Sequence, residues 1–458
     1  MARIAIIGAG QTGLLAAHGL RKLGHDVTLY SDRTPEDFLT KVRPTGTAGR
    51  FKMALDYERE LGLERWGGAA PPVEGIHLTF CPARGNRLIT LAARLGEPAF
   101  AIDVRLQSAA WMRALEAAGG VVVIEKVSVA RLDDIAAQHD LSIVAAGRAD
   151  LVALFPRDDT RSTYRAPQRM LAMVNVVGPR HTFDVAPWLR PVKFNLFAPY
   201  GECFWVPWYS KDDHRGWSLL FEGKPGGPLD RFRGLQGPEA VLARAKEVIR
   251  EVVPWDYEWV RDAEPCDENS WLTGSFTPEV REAVGRLPSG RAVMALGDTA
   301  HSLDPVGGQG ANNGNKMARN LVECVRARGD GPFDVDWMRA TDARFWSRHG
   351  VIHRFNNALL EPLTPAGAMM FFAQCGSTGR PDDTSPRQRL ADAIAANFDD
   401  PARLTDAFFE VDKARRAIRE RFGASVRPVL RGGLKVAAGQ ARRVILGDRS
   451  ARAPDSDV

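Results

Sequence analysis

Residues 3–33 read RIAIIGAGQTGLLAAHGLRKLGHDVTLYSDR, and this stretch decides the fold. Arg3 to Ile7 has strand character, Gly8 to Gly13 is a glycine turn, Thr12 to Leu23 is an apolar helix stopped by Gly24, and Val27 to Tyr30 is a second strand. That order is one βαβ unit. Gly8-Ala9-Gly10-Gln11-Thr12-Gly13 is thus a GxGxxG directly after a strand and at the start of a helix, the context in which the pattern means something. Gly8 permits the tight turn, Gly10 lets backbone approach a pyrophosphate, and Gly13 lets helix and strand pack closely, so that the anion meets the helix N-terminus. The acid that holds a ribose should end the second strand, where Ser31, Asp32 and Arg33 stand. Asp32 is the candidate, with Arg33 beside it. By itself the motif does not separate FAD from NAD.

The chain of 458 residues has room for two domains and a helical C-terminal part. A hydrophobic fraction of 45% and a charged fraction of 26% are ordinary for a globular protein. No apolar run is long enough to span a bilayer, and Ile4 to Ile7 lacks a small-residue cleavage site. A cytoplasmic protein with no membrane partner is expected. The five cysteines (Cys81, Cys203, Cys266, Cys324, Cys375) are scattered singly, as reduced thiols would be. Arginines crowd after Lys413, in KARRAIRERF and GQARRVI, but no aromatic-interleaved basic motif accompanies the net charge of +5, so no nucleic-acid partner is expected. The polar, Arg-rich end is expected to be partly disordered.

A second signal is more specific: Gly297-Asp298-Thr299-Ala300-His301, then Asp304-Pro305, then Gly307-Gly308-Gln309-Gly310-Ala311-Asn312. It resembles the second flavin fingerprint of the p-hydroxybenzoate hydroxylase superfamily. That resemblance implies FAD as cofactor, with Asp298 on a ribityl hydroxyl and the backbone N–H groups of Ala311 and Asn312 at the pyrimidine edge. A helix N-terminus there stabilises negative charge on the flavin. Within the superfamily, VTLYSDRTPEDF, DVRLQSAAWMRALEAAGG, HDLSIVAAGRADL and GDTAHSLDPVGGQGAN resemble, in order and spacing, the flavin-binding component of styrene and indole monooxygenases. The resemblance runs from about Arg3 to Val325. It implies a two-component FAD-dependent monooxygenase: a separate NAD(P)H-dependent flavin reductase supplies reduced FAD, O2 gives a C4a-(hydro)peroxyflavin, and one oxygen passes to a small aromatic alkene, indole or sulfide. By the same resemblance Pro305, Val306 and Gly307 lie near C4a, Gly308 and Gly310 belong to the flavin loop, and Arg43 and Arg105 are flavin contacts.

One feature supports the two-component reading separately. Self-sufficient aromatic hydroxylases carry an Asp-Gly where this chain has Ala146-Gly147, and no second GxGxxG follows a strand. Three alternatives stay open: a self-contained NAD(P)H-dependent aromatic hydroxylase, a non-catalytic flavin-binding partner protein, and a flavin-dependent halogenase. The last would carry WxWxIP, and the nearest tryptophan pair here reads Trp205-Val206-Pro207-Trp208. A homodimer is left open.

The fold class expected is α/β, a Rossmann-type FAD-binding domain interleaved with a β-rich substrate-binding domain, plus C-terminal helices. The boundaries are 1–165 for the first flavin part with an excursion near 70–100, 166–290 for the substrate domain, 291–328 for the second flavin part, and 329–458 for the helical region. Thr34-Pro35-Glu36-Asp37 starts a short helix, Trp111 to Ala118 is helical, and Val121 to Ile124 and Leu141 to Ala145 read as buried strands. Helix caps are expected at Ser385-Pro386 and Asp400-Pro401, with a stop at Gly423. In KFNLFAPYGECFWVPWY, Phe194, Phe197, Phe204 and Trp205 are the candidate pocket lining, though alternation lets only about half of the aromatics face one side. Cys203 reads as a buried apolar residue and His301 as a hydrogen-bonding one. His349 and His353 have metal-ligand spacing on one expected helix, but no acidic third ligand follows in register, so no metal is expected.

Overall fold

The computed structural model describes residues 1–446 except 148, 199 and 424–426, with side chains to residue 438. The Arg-rich end expected to be disordered lies beyond residue 446, outside the described residues. Two compact units share the chain: Met1–Gly68, Ile102–Pro167 and Phe276–His353 form one, and Ala69–Ala101, Gln168–Ser275 and the segment from Arg354 form the other.

The first unit is built on a six-stranded sheet in the order Val284–Arg286, Ala292–Ala295, Leu141–Val144, Arg3–Ile7, Asp26–Ser31, Val121–Ile124. All pairings are parallel except that of Val284–Arg286 with Ala292–Ala295. That hairpin returns the chain to this unit at Phe276, earlier than the expected boundary at 290. Ile4, Ile6, Leu29, Ile143 and Val293 bury against Leu14, Leu20, Met112 and Leu321. Central parallel strands are covered on both faces, which is why they read as unbroken apolar runs. Val121–Ile124, expected to be buried, is an edge strand, with Val121 54% and Ile124 47% exposed. It has a neighbour on one side only, and apolar sequence alone does not reveal that. Thr34 and Asp37 form a reciprocal capping box at the helix Pro35–Thr40.

The second unit holds a mainly antiparallel sheet running Met170–Val177, Arg215–Gly223, Gly201–Tyr209, Pro191–Phe197, Val73–Cys81, Ile89–Ala101. The strands Pro191–Phe197 and Val73–Cys81 pair in parallel. One face packs on the helix Pro238–Val252: Val174, Trp217, Leu219 and Phe221 meet Val241, Ala245, Val248 and Ile249. A polar seam crosses that face, where Lys193 pairs with Asp256, and Asp256 also accepts from Trp205 Nε1 at 2.8 Å and Asn195 Nδ2 at 3.2 Å. The region after residue 328 does not form a unit of its own. Val335–His349 joins the first unit, whereas Pro365–Gln374, Pro386–Ala395 and Val411–Phe422 join the second. Ser385 caps its helix as expected, but Asp400-Pro401 opens a single 3-10 turn rather than an α-helix. Among the described residues no helix is long and apolar enough to cross a membrane.

His77 lies on the seam side of its strand and is 2% exposed. Burial, aided by the charges of Lys193 and Arg87, pushes its pKa from 6.5 down to about 3. The imidazole is therefore neutral in the fold and protonates near 6.5 when the chain unfolds. Stability is complete above that value and falls as pH drops toward 3, by about 1.4 kcal/mol per pH unit. Melting followed by circular dichroism between about pH 8 and pH 5 checks this: Tm should fall on the acid side, and less steeply in His77→Phe. Equal acid slopes in the two proteins would contradict it.

Candidate functional site

The glycine turn separates what the backbone requires from what a ligand requires. Gly8 has φ +121, and a Cβ on it would lie 2.4 Å from the Ala145 carbonyl oxygen. On Gly13 a Cβ would lie 2.2 Å from the Gly8 carbonyl oxygen. The protein itself excludes side chains at both positions. Gly10 is different: its φ is −76, and no atom lies within 4 Å of where its Cβ would be. Nothing in the fold demands glycine there, whereas a phosphate crossing the turn would. Gly10 also caps the helix Gln11–Lys22 without a side-chain acceptor, leaving the positive end of that helix for an anion.

The second fingerprint meets this turn within the same unit. Thr12, predicted as a cofactor contact, is a wedge: its side chain lies 3.1 Å from the Cβ position of Gly297 and 2.1 Å from that of Gly314. A side chain on Gly314 would separate the helices Gln11–Lys22 and Gly310–Arg328. Gln11 Nε2 donates to Asn315 Oδ1 and, at 3.5 Å, to the Ala311 carbonyl. Thr299 Oγ1 donates to the Ala146 carbonyl at 3.1 Å, tying the fingerprint to the Ala146-Gly147 segment. The helix Gly310–Arg328 has no side-chain cap and no acid in its first turn, so the amides of Ala311 and Asn312 lie at an uncompensated positive end. Asn312 braces the loop with its side chain, donating to the Gly49 and Gly308 carbonyls at 2.8 Å and accepting from Phe51 N at 2.9 Å.

The rest of the fingerprint lies close by. Gly308 has φ +59, and neither it nor Gly310 has an atom within 4 Å of a Cβ position. Pro305–Gly307 is one 3-10 turn with Val306 N donating to Asp304 Oδ1 at 3.2 Å, and Val306 and Gly307 are buried. Asp298 is exposed in the loop, yet the surrounding protein raises its carboxyl pKa while the Arg281 guanidinium opposes the shift. Asp32 and Arg33 are exposed past the strand end, 3.7 Å apart, and Arg43 is exposed as well.

Arg105 corrects its expected role. It is 1% exposed, its guanidinium meets the Asp103 carboxylate through Nε at 2.9 Å and Nη2 at 2.7 Å, and Nη1 donates to the Val42 carbonyl at 3.4 Å. A planar fork closed on an internal carboxylate braces its own helix start rather than reaching for a ring or phosphate. His349 and His353 are corrected too, because Gly350 breaks the expected helix into Val335–His349 and Val351–Leu360. His353 Nε2 lies 3.2 Å from His301 Nδ1, whose Nε2 lies 3.1 Å from Asp342 Oδ1, and Arg161 pairs with Asp342 at 2.7 Å. This chain anchors the strand end that follows Asp298.

Sequence reasoning missed the brace behind the site. Arg50 and Glu58, each 1% exposed in the side chain, pair at 2.8 Å. Arg50 Nη1 donates to Gln107 Oε1 at 3.0 Å, and Asn315 Nδ2 donates to Glu58 Oε1 at 2.8 Å. Burial holds the Glu58 carboxyl above its ordinary pKa and the Arg50 guanidinium below its own. The four residues come from segments far apart in sequence, and no local pattern marks them.

In the second unit the aromatic candidates divide by face. Phe194 and Phe204 are cross-strand partners with rings stacked at 4.7 Å and 27°. Met173, Leu220, Leu78 and Leu91 extend their row, and Phe398 lies 6.3 Å from Phe194. Phe197 and Trp205 belong instead to the core under the helix Pro238–Val252. Side chains alternate along a strand, so Trp205 points away from Phe204, and Phe197, three residues on, points away from Phe194. Phe197 and Trp205 are removed from the pocket lining on that ground.

Residues 147–259 match the family described as "Styrene monooxygenase A putative substrate binding domain". Styrene monooxygenase StyA of Pseudomonas fluorescens is 29% identical over 414 residues, covering 89% of this chain and 95% of the relative. The StyA of a Pseudomonas sp. shows the same identity and coverage. Among solved structures, a flavin-dependent brominase aligns with TM-score 0.59 at 14% identity over 91% of this chain and 98% of its own. A 2-methyl-3-hydroxypyridine-5-carboxylic acid oxygenase aligns with TM-score 0.54 at 15% identity over 88% and 97%. These two likenesses establish the fold.

Proposed function

From the premise that this chain belongs with the styrene monooxygenase flavoproteins, we propose that it is the oxygenating component of a two-component system acting on a small aromatic. It takes reduced FAD from a separate NAD(P)H-dependent flavin reductase and uses O2. The observation that carries the reading is the meeting of the two glycine motifs around Thr12, which places two uncapped helix N-termini in one unit. The residues fit FAD: the turn Gly8–Gly13 takes the pyrophosphate, Asp32 the ribose, Asp298 the ribityl chain, and the amides of Ala311 and Asn312 the pyrimidine edge. Arg43 remains a candidate contact.

Reduced FAD, once bound, activates O2 for transfer of one oxygen atom to the substrate. The chain's own residues position and exclude. Phe194 and Phe204 give an aromatic ring an apolar surface to stack on and keep out water, which would divert oxygen to hydrogen peroxide. No acid–base pair is required of the protein. All five cysteines are free, which fits a reducing cytoplasm.

The purified chain with FAD and NADH or NADPH is expected to oxidise no nicotinamide above background. Adding a flavin reductase should start oxygenation of styrene or indole, measured by product chromatography. Brisk NAD(P)H oxidation by this chain alone would replace the proposal with the self-contained hydroxylase.

A further inference from the structure

Two buried polar groups without partners lie on the face that carries Phe194 and Phe204. Asn175 pairs across strands with Ser218, and Ser218 with Val206, while Trp208 pairs with Gly216 one step along. Val174, Val176, Trp205 and Trp217 occupy the opposite face. Alternation therefore puts Asn175, Val206 and Trp208 beside the row Met173, Leu220, Phe204, Phe194. Asn175 is fully buried, and neither its amide oxygen nor its amide nitrogen has a hydrogen-bond partner. Trp208 is fully buried, and its indole N–H has none either.

Both are exceptions within their own unit. Trp188 donates to the Thr378 carbonyl, Trp217 and Trp259 to the Arg180 carbonyl, Trp205 to Asp256 and Trp255 to Asn195. Asn195, the buried asparagine facing the opposite way, is answered by Trp255 and Asp256. Buried polar groups left without protein partners mark places where another molecule completes the bonding. An apolar surface would be better served by leucine and phenylalanine at these positions.

Resting on the monooxygenase reading, we propose that Asn175 and Trp208 form the polar edge of the substrate surface and set its preference. The aromatic it favours carries a ring N–H, taken by the Asn175 amide oxygen. An oxygen substituent on the ring system would find donors in the Asn175 amide and the Trp208 indole. A pure hydrocarbon of the same shape leaves all three groups unpaired, and a site built to bond a polar group discriminates against the analogue that lacks it.

Indole and indene test this, because they differ chiefly by N–H against CH2. Binding of each to wild type, Asn175→Leu and Trp208→Phe is measured by titration calorimetry, and oxygenation by supplying reduced FAD and O2. Wild type should bind indole about tenfold more tightly than indene. Asn175→Leu should erase that ratio by weakening indole while indene holds or improves. Trp208→Phe, which keeps the ring and lacks the donor, should leave the ratio for these two ligands unchanged and weaken binding of an oxygen-substituted indole. An indole-to-indene ratio in Asn175→Leu equal to that of wild type would overturn the assignment. A ratio that collapses in Asn175→Leu without oxygenation of either ligand by wild type would uphold the polar edge and instead sink the monooxygenase reading.

Discussion

Gly10→Ala is expected to lower FAD affinity about a hundredfold, roughly 2.7 kcal/mol, while the protein stays folded. Alanine is compatible with φ −76, and its methyl would meet no protein atom within 4 Å. The fold therefore loses only the few tenths of a kcal/mol to about 1 that separate glycine from alanine at a helix N-cap, a Tm change of about 4 °C or less. A pyrophosphate against that backbone has no such freedom, since the methyl occupies its path. Gly13→Ala is the matched control with the opposite outcome. Its Cβ would lie 2.2 Å from the Gly8 carbonyl oxygen, so strand and helix must separate, at a cost of about 3 kcal/mol or more. Fluorescence titration with FAD and thermal unfolding on both variants read the two effects apart. FAD binding by Gly10→Ala at wild-type strength would remove the pyrophosphate from this turn.

Trp205→Ala is expected to destabilise the second unit by about 3–5 kcal/mol, because it opens a cavity under the helix Pro238–Val252 and removes the indole donor from Asp256. Asp256 keeps Lys193 and Asn195, so the ion pair survives with one bond fewer. Phe204→Asn should act on chemistry instead. With reduced FAD and an accepted aromatic supplied, the ratio of oxygenated product to hydrogen peroxide should fall several-fold, with FAD affinity little changed. The two neighbours in sequence differ because one faces the helix and the other faces Phe194. If Phe204→Asn kept the wild-type ratio, and Phe194→Asn did too, the substrate surface would lie elsewhere.

Residues close in sequence carried much of this in their local pattern. The βαβ unit was legible because its strand, turn and helix follow one another within Arg3 to Ser31, and the glycines at 8 and 13 answer to backbone only a few residues away or on the next strand. The helix starts at Thr34 and Ser385 were legible because a capping hydroxyl bonds an amide three residues on. The second fingerprint was legible through resemblance, its glycines matching a known pattern.

Other features depend on partners brought together only by folding. Arg105 looks the same in sequence whether its fork meets a ligand or Asp103, and only the packing around the helix Val104–Ala117 chose the latter. The exposure of Val121–Ile124 follows from its place at the end of the strand order, which no apolar run encodes. Phe204 and Trp205 could be assigned to opposite faces from alternation, but which face meets the helix Pro238–Val252 required the sheet to be assembled. The wedge of Thr12 between Gly297 and Gly314, and the brace of Arg50, Glu58, Gln107 and Asn315, join segments whose approach costs loop-closure entropy and leaves no periodic trace in the chain. The unpaired amide of Asn175 belongs here too, since an asparagine in a strand becomes informative only once every neighbour has declined to bond it.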